Sequence, residues 1–350
     1  MKRILYQPFF IKLFNWEYWP FNVVYGPIVL YWFFLCLKAR SFFFFNTSNP
    51  TIRNGGFLME SKKEIYDLIP AEFYPPTLFF KTGTPFENIL EEVKQNKLNF
   101  PMVGKPDIGM KGMMVKKIED KNDLQEYALN SKVDFLVQEF ISYKNEVGIF
   151  YYRYPNDEIG HISGIVKKEF LAVTGDGLST VEQLLLKNKR AVLQLPILRR
   201  SEKDKMNIVL RNGEELVLVP YGNHVRGAKF LDDSRLIDEL LTNSIDSICK
   251  KVKGFYYGRL DIRYNEWEEL KQGKKFSIIE LNGAGSEPTH IYDPRHSIFW
   301  AWKEIIKHLN ILYRISKQNH HPETSPYMSM RSGLEMFRQN NKYIKLLKSN

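Results

Sequence analysis

The sequence predicts an α+β chain, and three observations predict it. Short apolar runs with strand character recur, notably Phe135 to Ile141, Gly258 to Arg263 and Ile278 to Gly283. Segments with helical period lie between them, among them Ser234 to Lys253, which puts Leu236, Leu240, Leu241, Ile245 and Ile248 on one apolar face. Between two such segments, Phe100 to Val115 reads as strand, lysine, glycine-rich loop, strand.

From the N-terminus, Phe9-Phe10, Trp16, Tyr18-Trp19-Pro20 and Phe42 to Phe45 flank an uncharged apolar stretch from Val23 to Leu37. It spans about 15 residues, or about 19 counted from Trp19, against the roughly 17–25 that cross a bilayer. Lys2, Arg3 and Lys12 precede it and Lys38 and Arg40 follow, so no charge asymmetry orients it. Three readings stay open: a helix lying in the membrane interface, a single transmembrane anchor, and a helix buried against protein. The first is favoured, because Trp and Tyr belong at headgroup depth and basic side chains at both ends snorkel. No small-residue cleavage site follows the run, so a cleavable signal peptide is not expected.

Asn49-Pro50 and Asn54-Gly55-Gly56 mark turns, and Glu60 to Ile69 reads as a short helix before a Pro-rich connection. Phe86 to Lys97 and Lys121 to Asn130 are helical, and strands dominate from there through Lys168. At Val173 to Glu182, Ser179 or Thr180 is a ready N-cap with an acid just inside the helix. Leu184 to Asp204, rich in Leu, Lys and Arg, reads as helix; its Arg199 and Arg200, with Arg226, are surface charges or contacts for an anionic acceptor. A closing helix from Arg295 to about Ser316 carries Ile298, Trp302, Ile305, Ile306, Leu309 and Leu312, and the residues after His320 read as a basic tail. His224, His290 and His296 lack metal-ligand spacing and are expected in solvent or as caps.

The chemistry concentrates in two places. Strand alternation puts Glu280 and Asn282 on one face, and Asp261 from the preceding strand completes three hard oxygen ligands of the kind Mg²⁺ uses beside nucleotide phosphates. Upstream, Gly109 and Gly112 allow backbone N–H groups close to phosphate oxygens, with Lys105 at the strand end and Lys111 on the loop. Alone, that loop is also what a surface β-hairpin looks like; the downstream carboxylates decide for a nucleotide site.

On these residues the chain resembles an ATP-grasp ligase, over roughly residues 56 to 315, in pattern most like D-alanine:D-alanine ligase and the ATP-grasp part of cyanophycin synthetase. The resemblance implies two α+β lobes gripping a nucleotide between antiparallel sheets, beside the apolar, aromatic-rich N-terminal segment. It implies that Lys105 and the Gly109 to Gly112 loop cover the triphosphate, that Gln138 and Glu139 lie on the hinge strand, and that Glu139 and Glu146 are nucleotide-side acids. Lys62, opening a helix, is a nucleotide contact or a solvated helix-start lysine. Lys167 or Lys168 follows the next strand, the choice between them open, with Lys168 set beside Arg259 as a catalytic candidate. Arg259 then stabilises the transferred phosphoryl, and Asp261, Glu280 and Asn282 hold Mg²⁺. Gly175-Asp176-Gly177 resembles a turn of the cyanophycin-synthetase branch, whereas Gly283 to His290 departs from the proline-glycine turn of the family, so no acceptor pocket follows from the resemblance.

The implied organisation is an apolar membrane-associated segment at 1–55, a linker helix and smaller lobe at 56–145, a larger lobe with the Mg²⁺ site at 146–316, and a basic tail at 317–350. The implied activity is ATP-dependent joining of a small carboxylate to an amine through an acyl phosphate, with ATP and Mg²⁺ as cofactors and an amino acid or cell-envelope precursor among the substrates. At 350 residues and 41.3 kDa the chain is long enough for two or three lobes. Cys36 and Cys249 offer no disulfide framework and suit a reducing compartment. The net charge of +10 beside an apolar N-terminus suits the cytoplasmic face of an anionic membrane; no nucleic-acid motif accompanies it, and no nucleic-acid partner is expected.

Overall fold

A computed structural model of the chain describes residues 7–109, 112–220 and 222–348; Lys2, Arg3 and Lys111 lie outside them. Helices α1 (Pro8–Phe14), α2 (Phe21–Tyr25), α3 (Val29–Ala39) and α4 (Lys62–Leu68) come first, followed by β1 (Thr77–Phe80), α5 (Phe86–Gln95), β2 (Met102–Pro106), β3 (Lys116–Ile118), α6 (Lys121–Asn130), β4 (Phe135–Glu139), β5 (Asn145–Tyr152) and β6 (His161–Glu169). Next are β7 (Leu171–Thr174), α7 (Val181–Leu186), α8 (Lys189–Ser201), β8 (Glu215–Val219) and β9 (Lys229–Asp232). The chain finishes with α9 (Glu239–Lys251), β10 (Tyr257–Tyr264), α10 (Trp267–Lys271), β11 (Phe276–Asn282), α11 (Ile298–Asn319) and α12 (Met330–Lys348). The class is α+β, with antiparallel strand pairs throughout the sheets.

Two compact units result. The larger comprises Leu30–Ile165, Ser234–Pro288 and Ile305–Asn350. Its first sheet runs β1-β4-β2-β3 and is covered by α5 and α6, which bury Ile89, Val93, Leu124 and Tyr127 against Phe80, Met102, Ile118 and Phe135. Its second runs β11-β10-β5 and continues into the first half of β6. Alternation along β10 sends Leu260, Ile262 and Tyr264 into a core shared with Leu241, Ile245, Ile248 and Cys249 of α9. That leaves Tyr257, Arg259, Asp261 and Arg263 on the other face. There Tyr257 packs with Phe44, Phe150 and, from α11, Ile311 to Tyr313.

Asn49 fastens the chain ahead of α4 to the start of β10. Its buried amide donates to the carbonyls of Gly55 (2.9 Å) and Tyr257 (2.8 Å) and accepts from the N–H groups of Tyr256 (2.8 Å) and Tyr257 (3.0 Å). A side chain satisfied at every atom in a buried position fixes a loop far better than the turn propensity of Asn-Pro alone. Gly56, at φ +76°, packs directly on the Gly283 backbone, where a Cβ would sit 2.7 Å from the Gly283 Cα.

The smaller unit comprises Met1–Val29, Val166–Asp233 and Thr289–Glu304. In it the second half of β6 pairs with β9, and β7 pairs with β8 beside α7 and α8. Thr180 and Gln183 form a reciprocal capping box at the start of α7. The single helix expected over Leu184 to Asp204 is two, because Asn188 turns its side chain onto the N–H groups of Arg190 and Ala191 and starts α8 afresh. The three histidines expected in solvent or as caps instead sit in polar and aromatic contacts: His224 lies 3.2 Å from Glu17, buried His290 lies 3.8 Å from Glu304, and His296 lies 2.8 Å from Asp232 and stacks on Trp300.

One further departure from the sequence reading concerns the C-terminal end. The expected tail contains α12, which buries Gly333, Met336, Asn340 and Leu347; a Cβ on Gly333 would clash with the Phe43 ring. Its polar, Lys-rich sequence hides that stripe. At the other end, the apolar stretch is a helical run, Phe21–Ala39, interrupted by a tight turn at Gly26–Ile28; among the described residues it is the one long and apolar enough to cross a membrane. Only 22% of it is buried.

Candidate active site

The register of β10 against β11 assembles the site. Arg259 lies opposite Asn282 and Asp261 opposite Glu280, while the next pairing is Ile262 with Ile278, so Ile279 is an extra residue on β11. This β-bulge lets Ile278 and Leu281 both reach the core while Glu280 and Asn282 share the face of Arg259 and Asp261. It also presents the Ile279 carbonyl, which accepts from the Tyr66 hydroxyl of α4 and from Lys105 Nζ at 3.2 Å.

Lys105 is 6% exposed, and its other acceptors are Tyr66 OH at 2.7 Å and Gln138 Oε1 at 2.8 Å. None of these three acceptors is a carboxylate. Burial, reinforced by the positive charge of Lys62 and only partly opposed by Glu280, brings its pKa down to about 7. A buried lysine with neutral hydrogen-bond acceptors carries its charge at a cost to stability.

The neighbouring charges are paired. Lys62 Nζ lies 2.6 Å from Glu280 Oε1, and Arg259 meets Asp261 at 2.9 and 3.2 Å while donating to the Glu287 carbonyl at 3.1 Å. Burial resists ionisation of Glu280, yet attraction from Lys62, Lys105 and Arg259 outweighs it and holds the carboxyl well below the usual range. Burial likewise opposes the charges of Lys62 and Arg259, and Glu280 and Asp261 respectively more than restore them. Burial pushes the Glu60 carboxyl up, and its Oε2 has no hydrogen-bond partner among the described residues.

The start of α4 is locked to the end of β2 by Asp107. Its carboxylate accepts from Ser61 Oγ and the Lys63 N–H, both at 2.9 Å, and its carbonyl accepts from the Lys62 N–H at 3.1 Å. Just beyond, a Cβ on Gly109 would sit 3.5 Å from Lys62 Cε, so the glycine loop begins over the Lys62 stem. Gly112 has φ +69°, a left-handed conformation that suits glycine.

The structure therefore gathers Lys62, Lys105, Gln138, Gly109, Arg259, Asp261, Glu280 and Asn282 in one unit. Lys105 is the penultimate residue of β2, and Gln138 serves as its acceptor while donating to Thr77 Oγ1 at 2.7 Å. Glu139 is exposed at the end of β4, where its N–H donates to the Pro76 carbonyl. Glu146 is buried opposite Arg263 and accepts from Arg263 Nε at 3.1 Å, an ion pair across the ladder. Lys167 and Lys168 lie in the smaller unit; Lys168 is buried beside the Phe230 ring, and Lys167 is partly exposed near Glu169. Sequence reasoning did not single out Glu60, Tyr66 or Asp107: Glu60 precedes and Tyr66 lies within a helix that reads as ordinary surface, and Asp107 follows Lys105-Pro106 without a signature of its own. Two carboxylates and an amide oxygen on one face fit a Mg²⁺ ion by the chemistry of the donor set.

Several solved structures are similar in fold. One is a D-alanine–D-alanine ligase from Bacillus anthracis, 14% identical over 74% of this chain and 69% of that one, at a TM-score of 0.41. Another is the VanG D-Ala:D-Ser ligase from Enterococcus faecalis, 15% identical over 72% of this chain and 61% of that one, at 0.42. A third is a bifunctional glutathione synthetase from Pasteurella multocida, 14% identical at 0.38, where 67% of this chain spans only 34% of that one. These neighbours are ATP-grasp ligases. No protein-family model and no curated protein matches the sequence. The ATP-grasp likeness is one of shape, and the reading of the site rests on its own residues.

Lys105 supplies a stability test. Its folded pKa is depressed from 10.5 to about 7, so the penalty of burying its charge is full below pH 7 and is relieved as pH rises from there toward 10.5. Lys105→Met should raise the melting temperature of the nucleotide-free protein at pH 6 by about 1–2 °C, about 1 kcal/mol after loss of its hydrogen bonds. The gain should shrink toward pH 10, and stabilisation by Mg-ATP should vanish. A lower melting temperature at pH 6 with Mg-ATP stabilisation intact would show that Lys105 is a structural lysine.

Proposed function

We propose that the chain is an ATP-dependent carboxylate–amine ligase. The observation that carries the reading is the hairpin face of β10 and β11, where Arg259, Asp261, Glu280 and Asn282 converge beside buried Lys105 and half-buried Lys62. Such a face receives a polyanion and a hard dication together.

In this reading a substrate carboxylate oxygen attacks the γ-phosphorus of ATP, the bond to the β–γ bridging oxygen breaks, and ADP leaves. The amine nitrogen then attacks the acyl carbon, phosphate departs, and the nitrogen loses a proton. Lys105 and Lys62 hold phosphate oxygens, and Arg259 neutralises the phosphoryl group in transfer. The loop from Gly109 to Gly112 closes over the phosphates and keeps water from the acyl phosphate, which would otherwise hydrolyse. Mg²⁺ held by Asp261, Glu280 and Asn282 would supply further charge neutralisation at the phosphates. The acid and the amine are proposed as small molecules, an amino acid or cell-envelope precursor; a glycan- or lipid-linked acid, or nucleotide binding without turnover, is the alternative.

ADP and phosphate release from Mg-ATP, measured against a panel of amino acids, dipeptides and cell-wall acids, tests this. Release should require one acid and one amine together and fall at least 100-fold in Asp261→Asn. Release that ignores both substrates, or survives that substitution, contradicts the ligase reading.

A membrane location is proposed on a separate observation. In α3, Leu35 and Cys36 are buried in the protein, whereas Leu30, Phe33, Phe34 and Leu37, at helical spacing, are exposed, followed by exposed Phe42, Lys38 and Arg40. A helix with one face packed in its own body is suited to lie in the bilayer surface rather than span it, its free apolar face at acyl depth and its basic residues among anionic headgroups. ATP supply puts that surface on the cytoplasmic side. Co-sedimentation with vesicles containing phosphatidylserine should be strong for the native chain and drop about tenfold for the double substitution Phe33→Ser and Phe34→Ser. Equal sedimentation of both proteins would remove this face from the account.

A further inference from the structure

Both carboxylates on the hairpin face already have cations. Glu280 holds Lys62 at 2.6 Å, and Asp261 holds Arg259 through two contacts of 2.9 and 3.2 Å. Each carboxylate is thus matched by a cation, and Lys105 adds further positive charge near Glu280, which leaves little net field to draw in a lone dication. To reach Glu280, such an ion must also evict the Lys62 ammonium, whose side chain is only 15% exposed, and a buried ammonium left without its partner is strongly unfavourable.

A triphosphate changes that balance. Its oxygens offer Lys62 and Arg259 new partners, and both carboxylates are released at the moment a dication arrives with the phosphates. The two cations differ in freedom. Arg259 is also tied to the Glu287 carbonyl at 3.1 Å, a third hold on its planar guanidinium. Lys62 makes its ion pair through one flexible four-carbon stem, and that stem passes under Gly109 at the start of the glycine loop. A swing of the ammonium from Glu280 toward the loop needs side-chain rotation alone, because the Lys62 backbone is fixed by the Asp107 carbonyl.

We propose that Lys62 is an exchangeable counter-ion that makes divalent-metal binding conditional on nucleotide: the site excludes the free ion and accepts it together with phosphates, when Lys62 transfers from Glu280 to a phosphate oxygen. The proposal rests on the nucleotide-site reading above and adds to it an order of occupancy. Lys62 is a positioning residue for the metal ligand and a contact for the nucleotide.

Mn²⁺ is the probe, its free concentration read by electron paramagnetic resonance with the full chain, without nucleotide and with saturating ADP. The native protein should bind Mn²⁺ at least tenfold more weakly without ADP than with it. Lys62→Ala and the longer Lys62→Gln should both bind Mn²⁺ without nucleotide at least tenfold more tightly than the native protein, and Glu280→Gln should abolish that binding. Agreement between the two Lys62 variants excludes a packing defect peculiar to either. Nucleotide-free Mn²⁺ affinity equal in the native protein and both variants would overturn the counter-ion proposal while leaving the site reading in place. A native protein that takes up no Glu280-dependent Mn²⁺ even with ADP would overturn the site reading, and the proposal with it.

Discussion

One extra residue in one ladder organises this protein's candidate chemistry. Without Ile279 as a bulge, β11 would alternate without interruption, and Ile278 and Leu281 could not both face the core. The bulge reconciles that apolar demand with a polar one, turning Glu280 and Asn282 toward Arg259 and Asp261. It also presents the Ile279 carbonyl to Tyr66 and Lys105, so the helix α4 and the strand β2 are referenced to the same backbone atom.

Around that point the electrostatics divide into two kinds. Lys62 with Glu280 and Arg259 with Asp261 are ion pairs, each of which offsets the loss of hydration its members suffer on burial. Lys105 has neutral acceptors and retains an unmet demand for an anion. In the proposed reading, a site built this way is held together before ligand arrives and still has something to gain when it does. The cost to stability falls on Lys105, the usual direction of conflict between stability and function. Glu146 is paired in the same way: its partner Arg263 lies directly across the ladder and also donates to the Tyr143 carbonyl at 2.9 Å.

Much of the arrangement was legible in the sequence. Period-two alternation over Ile278 to Gly283 was enough to put Glu280 and Asn282 on one face, and the glycines after Lys105 marked the loop. What stayed hidden depends on contacts distant in sequence. Tyr66 sits in a helix that reads as ordinary surface, and only the fold brings its hydroxyl to residue 279. Glu146 carries the same carboxylate whether it faces a nucleotide or an arginine 117 positions away, and local pattern cannot distinguish the two. A one-residue bulge leaves no compositional trace, and the polar helix α12 conceals its narrow buried stripe among lysines and asparagines.

The central claim is that the hairpin face of β10 and β11, with Lys105, binds a magnesium–nucleotide complex. Calorimetric titration of a non-hydrolysable ATP analogue with Mg²⁺ into the native chain and into Glu280→Gln measures it most directly. The account predicts one site per chain in the native protein and at least a tenfold weaker affinity in the variant. Equal affinity in the two proteins, or no binding to a folded native chain, would contradict it.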